Sequence, residues 1–175
     1  MAQNRGLVIV FTGDGKGKTT AALGIALRAQ GRGMKTLFLQ FMKGQERSGE
    51  QLLDKMTAPL IEVHAFGCGF LRKDDDLAPH RKAAEEGWSH AEKELSSGNA
   101  DILVLDEISH AINFGLLPIG KVEGDIRNRR GKLHLVLTGR NMPQALVDLA
   151  DIVTEMKEVR HVYHNGLNAV EGIDF

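Results

Sequence analysis

Short apolar runs alternate along the chain with longer segments in which apolar residues recur at helical spacing. We expect the apolar runs to form strands, and they lie at Leu7–Phe11, Lys35–Met42, Leu60–Phe66, Asp101–Glu107 and Lys132–Gly139. Helices are predicted at Thr19–Gly33, Ala78–Gly98 and Met142–Ala150, and an edge strand at Asp151–Val159. The first run is apolar throughout, which is typical of a strand buried on both faces.

This alternation predicts a mostly parallel sheet with helices on both faces. Ligands of such sheets bind beyond the carboxyl ends of the strands. Five segments follow predicted strand ends, namely Thr12–Lys18, Gln40–Gly44, Gly67–Arg72, Asp106–His110 and Gly139–Asn141. We therefore expect these segments to meet in one crevice, which is where a ligand should bind.

Composition narrows the class of protein. The length of 175 residues fits a single domain, which we assign to residues 1–175. The formal net charge is −1, so we expect neither nucleic acid nor a membrane as partner, and no apolar run is long enough to span a bilayer. Cys68 is the single cysteine, which excludes an intrachain disulfide and makes a cytoplasmic location the default.

A glycine-rich segment, TGDGKGKTT, lies between the first predicted strand and the first helix. Gly17, Lys18 and Thr19 match the end of the phosphate-binding P-loop pattern, whereas its first position is Thr12 instead of glycine. Glycines let backbone N–H groups turn towards phosphate oxygens, and a helix N-terminus adds a favourable dipole. We expect Lys18 to contact the phosphates and the Thr19 hydroxyl to bind Mg²⁺.

The most apolar of the predicted strands ends in two acidic residues, Asp106 and Glu107. In P-loop proteins such a strand end faces Mg²⁺. In a hydrolase one carboxylate would bind the metal and the other would polarise water, and the sequence leaves these roles open. His110 follows Glu107 at helical spacing, which is a weak metal-binding signal. The predicted fold class is α/β, of the P-loop NTPase (RecA-like) type.

Several other residues carry weaker signals. Arg140 closes the fifth predicted strand and is well placed to contact a ligand. Arg127, Arg129 and Arg130 form a small basic cluster, which we expect to be a solvated helix end. Trp88 lies among polar residues of a predicted helix and is expected to anchor that helix by packing.

A set of motifs in fixed order carries a resemblance to a known family. These motifs are GLVIVFTGDGKGKTTAALG, LQFMKG, FGCGF, LVLDEI, LTGRN, LADIVTEMK and the ending GIDF. Together they resemble the P-loop ATP:corrinoid adenosyltransferases, which act on cob(I)yrinic acid a,c-diamide or cob(I)alamin in vitamin B12 biosynthesis and salvage. The resemblance extends from Gly6 to Phe175.

The resemblance implies an alkyl-group transferase. Such enzymes move the 5′-deoxyadenosyl group of ATP to reduced Co(I) of a corrinoid, and the whole triphosphate leaves. ATP binds along the phosphate loop in the sense opposite to that in ordinary P-loop enzymes. Neutralising the leaving triphosphate then becomes the main task of the loop, and no water has to be activated.

Roles for individual residues follow from this resemblance. Lys18, Thr19 and Glu107 would be catalytic, with Thr19 and Glu107 as Mg²⁺ ligands and Asp106 one shell further from the metal. The residues implied in ATP binding are Gly13, Asp14, Gly15, Lys16, Gly17, Lys18, Thr19, Thr20 and Arg28. Asp14 stands where the family frequently has asparagine, so Lys16 or Mg²⁺ would have to compensate its charge.

The corrinoid would contact Phe70, Arg72 and Arg140. Phe70 matches an aromatic residue that lies under the corrin in the family, where removal of the lower axial ligand makes cobalt easier to reduce. Arg72 replaces a second aromatic, which leaves half of that lower face unassigned. The resemblance also implies a flavoprotein as reductant and a homodimer as the assembly.

Two other functions share the phosphate loop. A small-molecule kinase would transfer the terminal phosphoryl group of ATP, with Arg127, Arg129 and Arg130 as a lid over the phosphates. A nucleotide-driven DNA-binding motor would resemble recombinase cores, although the near-zero net charge and the few aromatic residues argue against it.

Overall fold

The computed structural model describes residues 5–44, 48–52, 60–69, 71, 75–162, 166 and 169–173. Six strands form one sheet in the order β3-β2-β4-β5-β1-β6, and every pair is parallel. The strands are β1 (Val8–Thr12), β2 (Thr36–Gln40), β3 (Ile61–Ala65), β4 (Ile102–Asp106), β5 (His134–Thr138) and β6 (Ile152–Glu155). The predicted α/β class with a parallel sheet is confirmed.

Five α-helices connect these strands in the described part of the chain. They are α1 (Lys18–Gln30), α2 (Leu77–Ser97), α3 (Ile108–Asn113), α4 (Ile119–Arg127) and α5 (Gln144–Val147), and a 3₁₀ turn covers Gly49–Leu52. The predicted helix Thr19–Gly33 was too long at its C-terminus. The chain turns at residues 31–33, where backbone hydrogen bonds end the helix. The prediction for Met142–Ala150 was also too long, since α5 begins only after Pro143.

The central strands β2, β4 and β5 are buried on both faces because neighbouring residues point to opposite helix layers. On one face Phe38, Val104 and Val136 pack against Ala22 and Ala29 of α1. On the other face the next residue of each strand joins a larger cluster that includes residues of α2 to α5. The register aligns these rows directly across β2, β4 and β5, so the central strands form a rigid base for the loops at their carboxyl ends.

Trp88 anchors α2 as predicted. Its side chain is buried, its ring lies 6.5 Å from that of Phe41, and its indole N–H donates to Asp125 at 3.1 Å. At the far edge of the sheet, all four residues of β6 are exposed, which agrees with the predicted edge strand. None of the described helices is both long enough and apolar enough to cross a membrane.

Candidate active site

The phosphate loop joins β1 to α1 and packs tightly against the chain that follows β6. Gly13 has φ 91°, and a side chain on it would come within 2.5 Å of the carbonyl oxygen of Met156. The Gly15 N–H donates to that same oxygen at 2.7 Å, and a side chain there would also collide with the backbone. Only glycine allows this close approach, which fixes the loop at the carboxyl edge of the sheet.

Lys18 begins α1 and folds back over the loop. Its ammonium group donates to the carbonyl oxygens of Gly13 and Gly15, at 2.7 and 2.8 Å. Burial and the nearby Arg140 charge lower the pKa of Lys18 from its usual value. The lysine thus presents a partly desolvated positive charge where the loop backbone curves, as an anion site requires.

Asp106 lies beneath the loop at the end of β4 and is fully buried. One carboxylate oxygen accepts hydrogen bonds from Thr19 at 2.9 Å and Thr138 at 2.7 Å, and the other accepts from Gln40 at 3.3 Å. Thr138 can reach it because β5 lies between β1 and β4. Burial raises the pKa of Asp106. Asp106 therefore connects three strands and α1, and it holds the Thr19 hydroxyl in place.

Glu107 follows Asp106 with a left-handed backbone, φ 60°, and its N–H donates to the Thr138 hydroxyl at 2.9 Å. This conformation is uncommon for a residue with a side chain. Burial, followed by the charge of Asp106, raises the pKa of Glu107 to about 7. A cation beside this carboxylate would offset both effects.

The donors present fit Mg²⁺ that arrives with a nucleotide. Mg²⁺ is bound through one or two protein oxygens plus phosphate oxygens and water, rather than by a complete protein cage. Thr19 donates its proton to Asp106, which leaves its oxygen lone pairs available, and Glu107 supplies a carboxylate at the cleft. Within the described ranges, no group of three or more His, Cys, Asp or Glu residues could hold a metal alone.

These residues line a cleft of about 620 Å³. Its walls combine the loop, the ends of β2, β4 and β5, and a turn near the C-terminus: Lys16, Gly17, Lys18, Thr19, Thr20, Leu23, Lys43, Gly49, Glu50, Glu107, His110, Arg140, Gly172 and Ile173. Four of these side chains are cationic and two are carboxylates, so the cleft is suited to a polyanion.

The predicted convergence of strand-end segments is correct for four of the five segments. Thr12–Lys18, Gln40–Gly44, Asp106–His110 and Gly139–Asn141 each contribute to the cleft. The described part of Gly67–Arg72 does not line it but packs alongside, since the Gly67 N–H donates to the carbonyl of Lys43 at 2.9 Å. Phe70 and Arg72, the predicted corrinoid contacts, lie outside the described residues.

Of the two predicted ligand contacts Arg140 and Arg28, the structure places only Arg140 at the cleft. Arg140 lines the cleft, 4.0 Å from the carboxylate of Asp14, and its carbonyl accepts from Ser109 at 2.6 Å. Arg28 lies in the last turn of α1 and is exposed. Ten residues of helix separate it from Lys18, a rise of about 15 Å. It does not line the cleft, so its role in nucleotide binding stays a prediction without geometric support within one chain.

Sequence reasoning assigned no role to Lys43, Glu50 or the C-terminal turn. Lys43 belongs to the strand-end segment Gln40–Gly44 and to the LQFMKG motif, but neither of them assigned it a role. Glu50 comes from a 3₁₀ turn that no periodic pattern predicts, so its burial beside the cleft depends on tertiary structure. Ile173 lies in the ending GIDF, and its order in the motif set was the available signal. His110 faces the cleft, where burial lowers its pKa.

The arginine cluster lies at the opposite end of the sheet. Arg129 donates to the carbonyl of Gly6, just before β1, and Arg130 donates to Ala100, just before β4. These residues precede the strands, whereas the phosphate loop follows one. The cluster therefore cannot form a lid over the phosphates within this chain, which removes the structural argument for a kinase.

Comparison with known proteins identifies the family. The family model for ATP:corrinoid adenosyltransferase BtuR/CobO/CobP matches residues 4–175. The chain belongs to this family. A corrinoid adenosyltransferase of Pseudomonas aeruginosa is 35% identical over 98% of the chain and 84% of its own length, and one of Escherichia coli K12 is 36% identical over 98% and 86%. Corrinoid adenosyltransferase CobA of Salmonella typhimurium is 35% identical over 99% and 87%.

More distant relatives of this adenosyltransferase are informative about the fold alone. RecA of Caldanaerobacter subterraneus is 30% identical over 98% of the chain but only 43% of its own length. The solved structure of the flagellar accessory protein FlaH from Methanocaldococcus jannaschii superposes with a TM-score of 0.59 at 10% identity, covering 86% of the chain and 71% of FlaH. These comparisons agree with the predicted RecA-like P-loop fold.

Proposed function

We propose that the chain transfers the 5′-deoxyadenosyl group of ATP to Co(I) of a corrinoid and releases triphosphate. The observation that carries this proposal is the family match over nearly the whole chain. The cleft agrees with it, because a cation-rich wall surrounds the phosphate loop at the carboxyl ends of the strands. Corrinoid and ATP are both substrates, and the product serves cobalamin biosynthesis or salvage.

The residues of the loop would act on the leaving group. As the bond between C5′ and oxygen breaks, negative charge develops on the triphosphate, and preorganised donors stabilise it. Backbone N–H groups of residues 13–17, the N-terminus of α1 and the Lys18 ammonium group are the donors that the loop offers. Hydrogen bonds to the carbonyl oxygens of Gly13 and Gly15 hold the Lys18 ammonium group over the loop.

Thr19 and Glu107 would hold Mg²⁺, and Asp106 would orient Thr19. When bound, the metal supplies further positive charge for the triphosphate oxygens. The proposed reaction transfers carbon and not phosphoryl, so Glu107 needs no role as a base. Its raised pKa fits a carboxylate whose natural partner is a cation.

The corrinoid is proposed to lie beyond this cleft, with Arg140 on the side that faces the loop. Phe70 and Arg72 are proposed contacts on the strength of the family resemblance. The described Gly67–Gly69 segment that precedes them packs beside Lys43 and Gly44, which supports a location next to the nucleotide.

A homodimer, a flavoprotein reductant and a cytoplasmic location complete the proposal. Arg28 does not line the cleft of its own chain. In a homodimer, a second copy could bring Arg28 to a nucleotide, which would connect this predicted contact to the predicted dimer. Sedimentation at several concentrations tests the assembly.

The test of function is direct. The purified chain is incubated with Mg²⁺, ATP and a chemically reduced corrinoid, and the products are separated. We expect adenosylated corrinoid and intact triphosphate in equal amounts. Formation of ADP and phosphate without adenosylated corrinoid would refute the proposal, and transfer of a label from the terminal phosphate would indicate a kinase.

A further inference from the structure

Lys43 lies in the loop that follows β2 and lines the cleft together with the phosphate loop. Its ammonium group forms an ion pair with Glu50, and the side chains of Lys43 and Glu50 are 24% and 8% exposed. The lysine is therefore the more accessible member of a largely buried pair. A lysine in this position carries positive charge to the wall of the cleft next to β2.

A buried network holds the counterion of Lys43. The Gln40 amide donates to Glu50 at 2.9 Å and to Asp106 at 3.3 Å, and the Gln51 amide donates to the Gln40 oxygen at 3.3 Å. Asp106 accepts from Thr19 in turn. Hydrogen bonds thus connect Glu50, the anchor of Lys43, to the first turn of α1.

Glu50 is ionised in this network. Its burial opposes ionisation, but the hydrogen bond and charge of Lys43, together with hydrogen bonds from the backbone and Gln40, lower the pKa of Glu50. A buried ion pair contributes little net stability compared with apolar residues of the same volume, because both charges lose their hydration. Stability alone is therefore a weak reason for a charged pair here, and a ligand for the lysine is a stronger one.

We propose that Lys43 is a second side-chain ammonium group of the triphosphate site, alongside Lys18, and that Glu50 and Gln40 position it. An ammonium group has three N–H donors, so the bond to Glu50 leaves others for phosphate oxygens. Lys18 would approach the phosphates from the phosphate loop, and Lys43 from the segment that follows β2. The identity of the ligand as the leaving group of ATP rests on the proposed function.

The test compares Lys43→Met, Glu50→Gln and the double variant by calorimetric titration with inorganic triphosphate. A charged hydrogen bond to phosphate supports a loss of about tenfold to 100-fold in affinity for Lys43→Met. Glu50→Gln keeps the lysine and leaves an amide oxygen to which it can donate, so we expect a change of less than about threefold. The double variant should bind as weakly as Lys43→Met, although it contains no unpaired buried charge.

A purely structural ion pair gives the opposite pattern. In that case the double variant would regain wild-type affinity together with its melting temperature, which would overturn the proposal. Wild-type affinity in folded Lys43→Met would overturn it as well. Lys132→Met is the matched control, since it removes the same charge from an exposed position before β5.

The binding assay does not depend on the adenosyl transfer. If the wild-type chain failed to adenosylate a corrinoid while Lys43→Met still lost triphosphate affinity, the proposed function would fail and this inference would stand. If adenosylation succeeded and Lys43→Met bound triphosphate as tightly as the wild type, the proposed function would stand and the role of Lys43 would be refuted.

Discussion

The two ends of the sheet both carry basic side chains, but these side chains have different partners. At the amino end, Arg129 donates to the carbonyls of Gly6 and Ile126, at 2.9 and 3.2 Å. Arg130 donates to both the carbonyl and the carboxylate of Glu94, at 3.1 and 2.9 Å. At the carboxyl end, Lys18, Lys43 and Arg140 line an open cleft. At the amino end the basic side chains thus bind oxygens that belong to the packed chain, whereas at the carboxyl end they also line a cleft.

The direction of the elements explains this difference. In a parallel sheet the connecting helices begin near the carboxyl ends of the strands and end near the amino ends. Helix C-termini leave carbonyl oxygens without intrahelical partners, and arginine supplies donors for them. Helix N-termini leave N–H groups, which favour an anion. Basic residues at the carboxyl end thus add to donors already present, and together they make this end of the sheet suited to an anion.

The largest effect is expected from Lys18→Ala. Loss of a partly buried charge from the leaving-group site should lower the adenosylation rate by about 10³-fold. The melting temperature should change little, because the ammonium group binds only loop carbonyls. Rate and melting temperature are measured on the same preparation. A variant that kept more than a tenth of the wild-type rate would contradict the role of Lys18.

Glu107→Gln should separate function from stability. With no metal or nucleotide, the raised pKa of Glu107 means that wild-type stability falls as pH rises from 4.5 to about 7 and stays lowered above that. The neutral variant escapes this penalty and should be more stable above pH 7 by up to about 3 kcal/mol. Below pH 4.5 the gain should vanish. Denaturant titrations across this range measure it.

The same variant should lose Mg²⁺-dependent ATP binding. If Glu107→Gln bound Mg²⁺ and ATP as the wild type does, Glu107 would not be a metal ligand. A stability gain that was equal at pH 4.5 and pH 8 would contradict the pKa shift instead. Metal binding by Glu107 and its raised pKa are therefore tested independently of each other.

At the amino end, Arg130→Met should destabilise the fold and spare the chemistry. The substitution removes donors from the carbonyl and carboxylate of Glu94 and from the carbonyl of Ala100. Unsatisfied acceptors make a loss of about 2 kcal/mol in unfolding free energy the expected result. The adenosylation rate below the melting transition should equal that of the wild type. A large fall in rate would place this cluster in the active site.

The smallest effect is expected from Arg127→Met, a control in the same cluster. Arg127 pairs with Glu123 one turn earlier on α4, and its side chain is 62% exposed. Such pairs contribute less than about 0.5 kcal/mol. Chemical denaturation of this variant and Arg130→Met in parallel would show whether stability depends on backbone partners or on charge alone. Equal losses would show that the backbone partners of Arg130 add nothing to stability beyond the charge.

The sequence predicted the sheet well because its central strands are apolar along their whole length. The hydrophobic pattern was a poorer guide to the short helices. The pattern assigned no bounds to helices α3 and α4, and it overestimated the length of α5 around Pro143. Trp88 was correctly predicted to anchor its helix, because a large apolar side chain in an amphipathic helix is most often buried in the core.

Local sequence alone determined the chemistry of the phosphate loop, because spacing along the chain dictates which N–H groups, lysine and hydroxyl come together. Asp106 and Glu107 were found for the same reason. Tertiary structure decided how these pieces meet: Thr138 and Gln40 fix Asp106, Glu50 anchors Lys43, and the arginine cluster lies at the opposite end. Contacts between distant segments depend on the order of strands in the sheet, and that order follows from packing rather than from any local pattern.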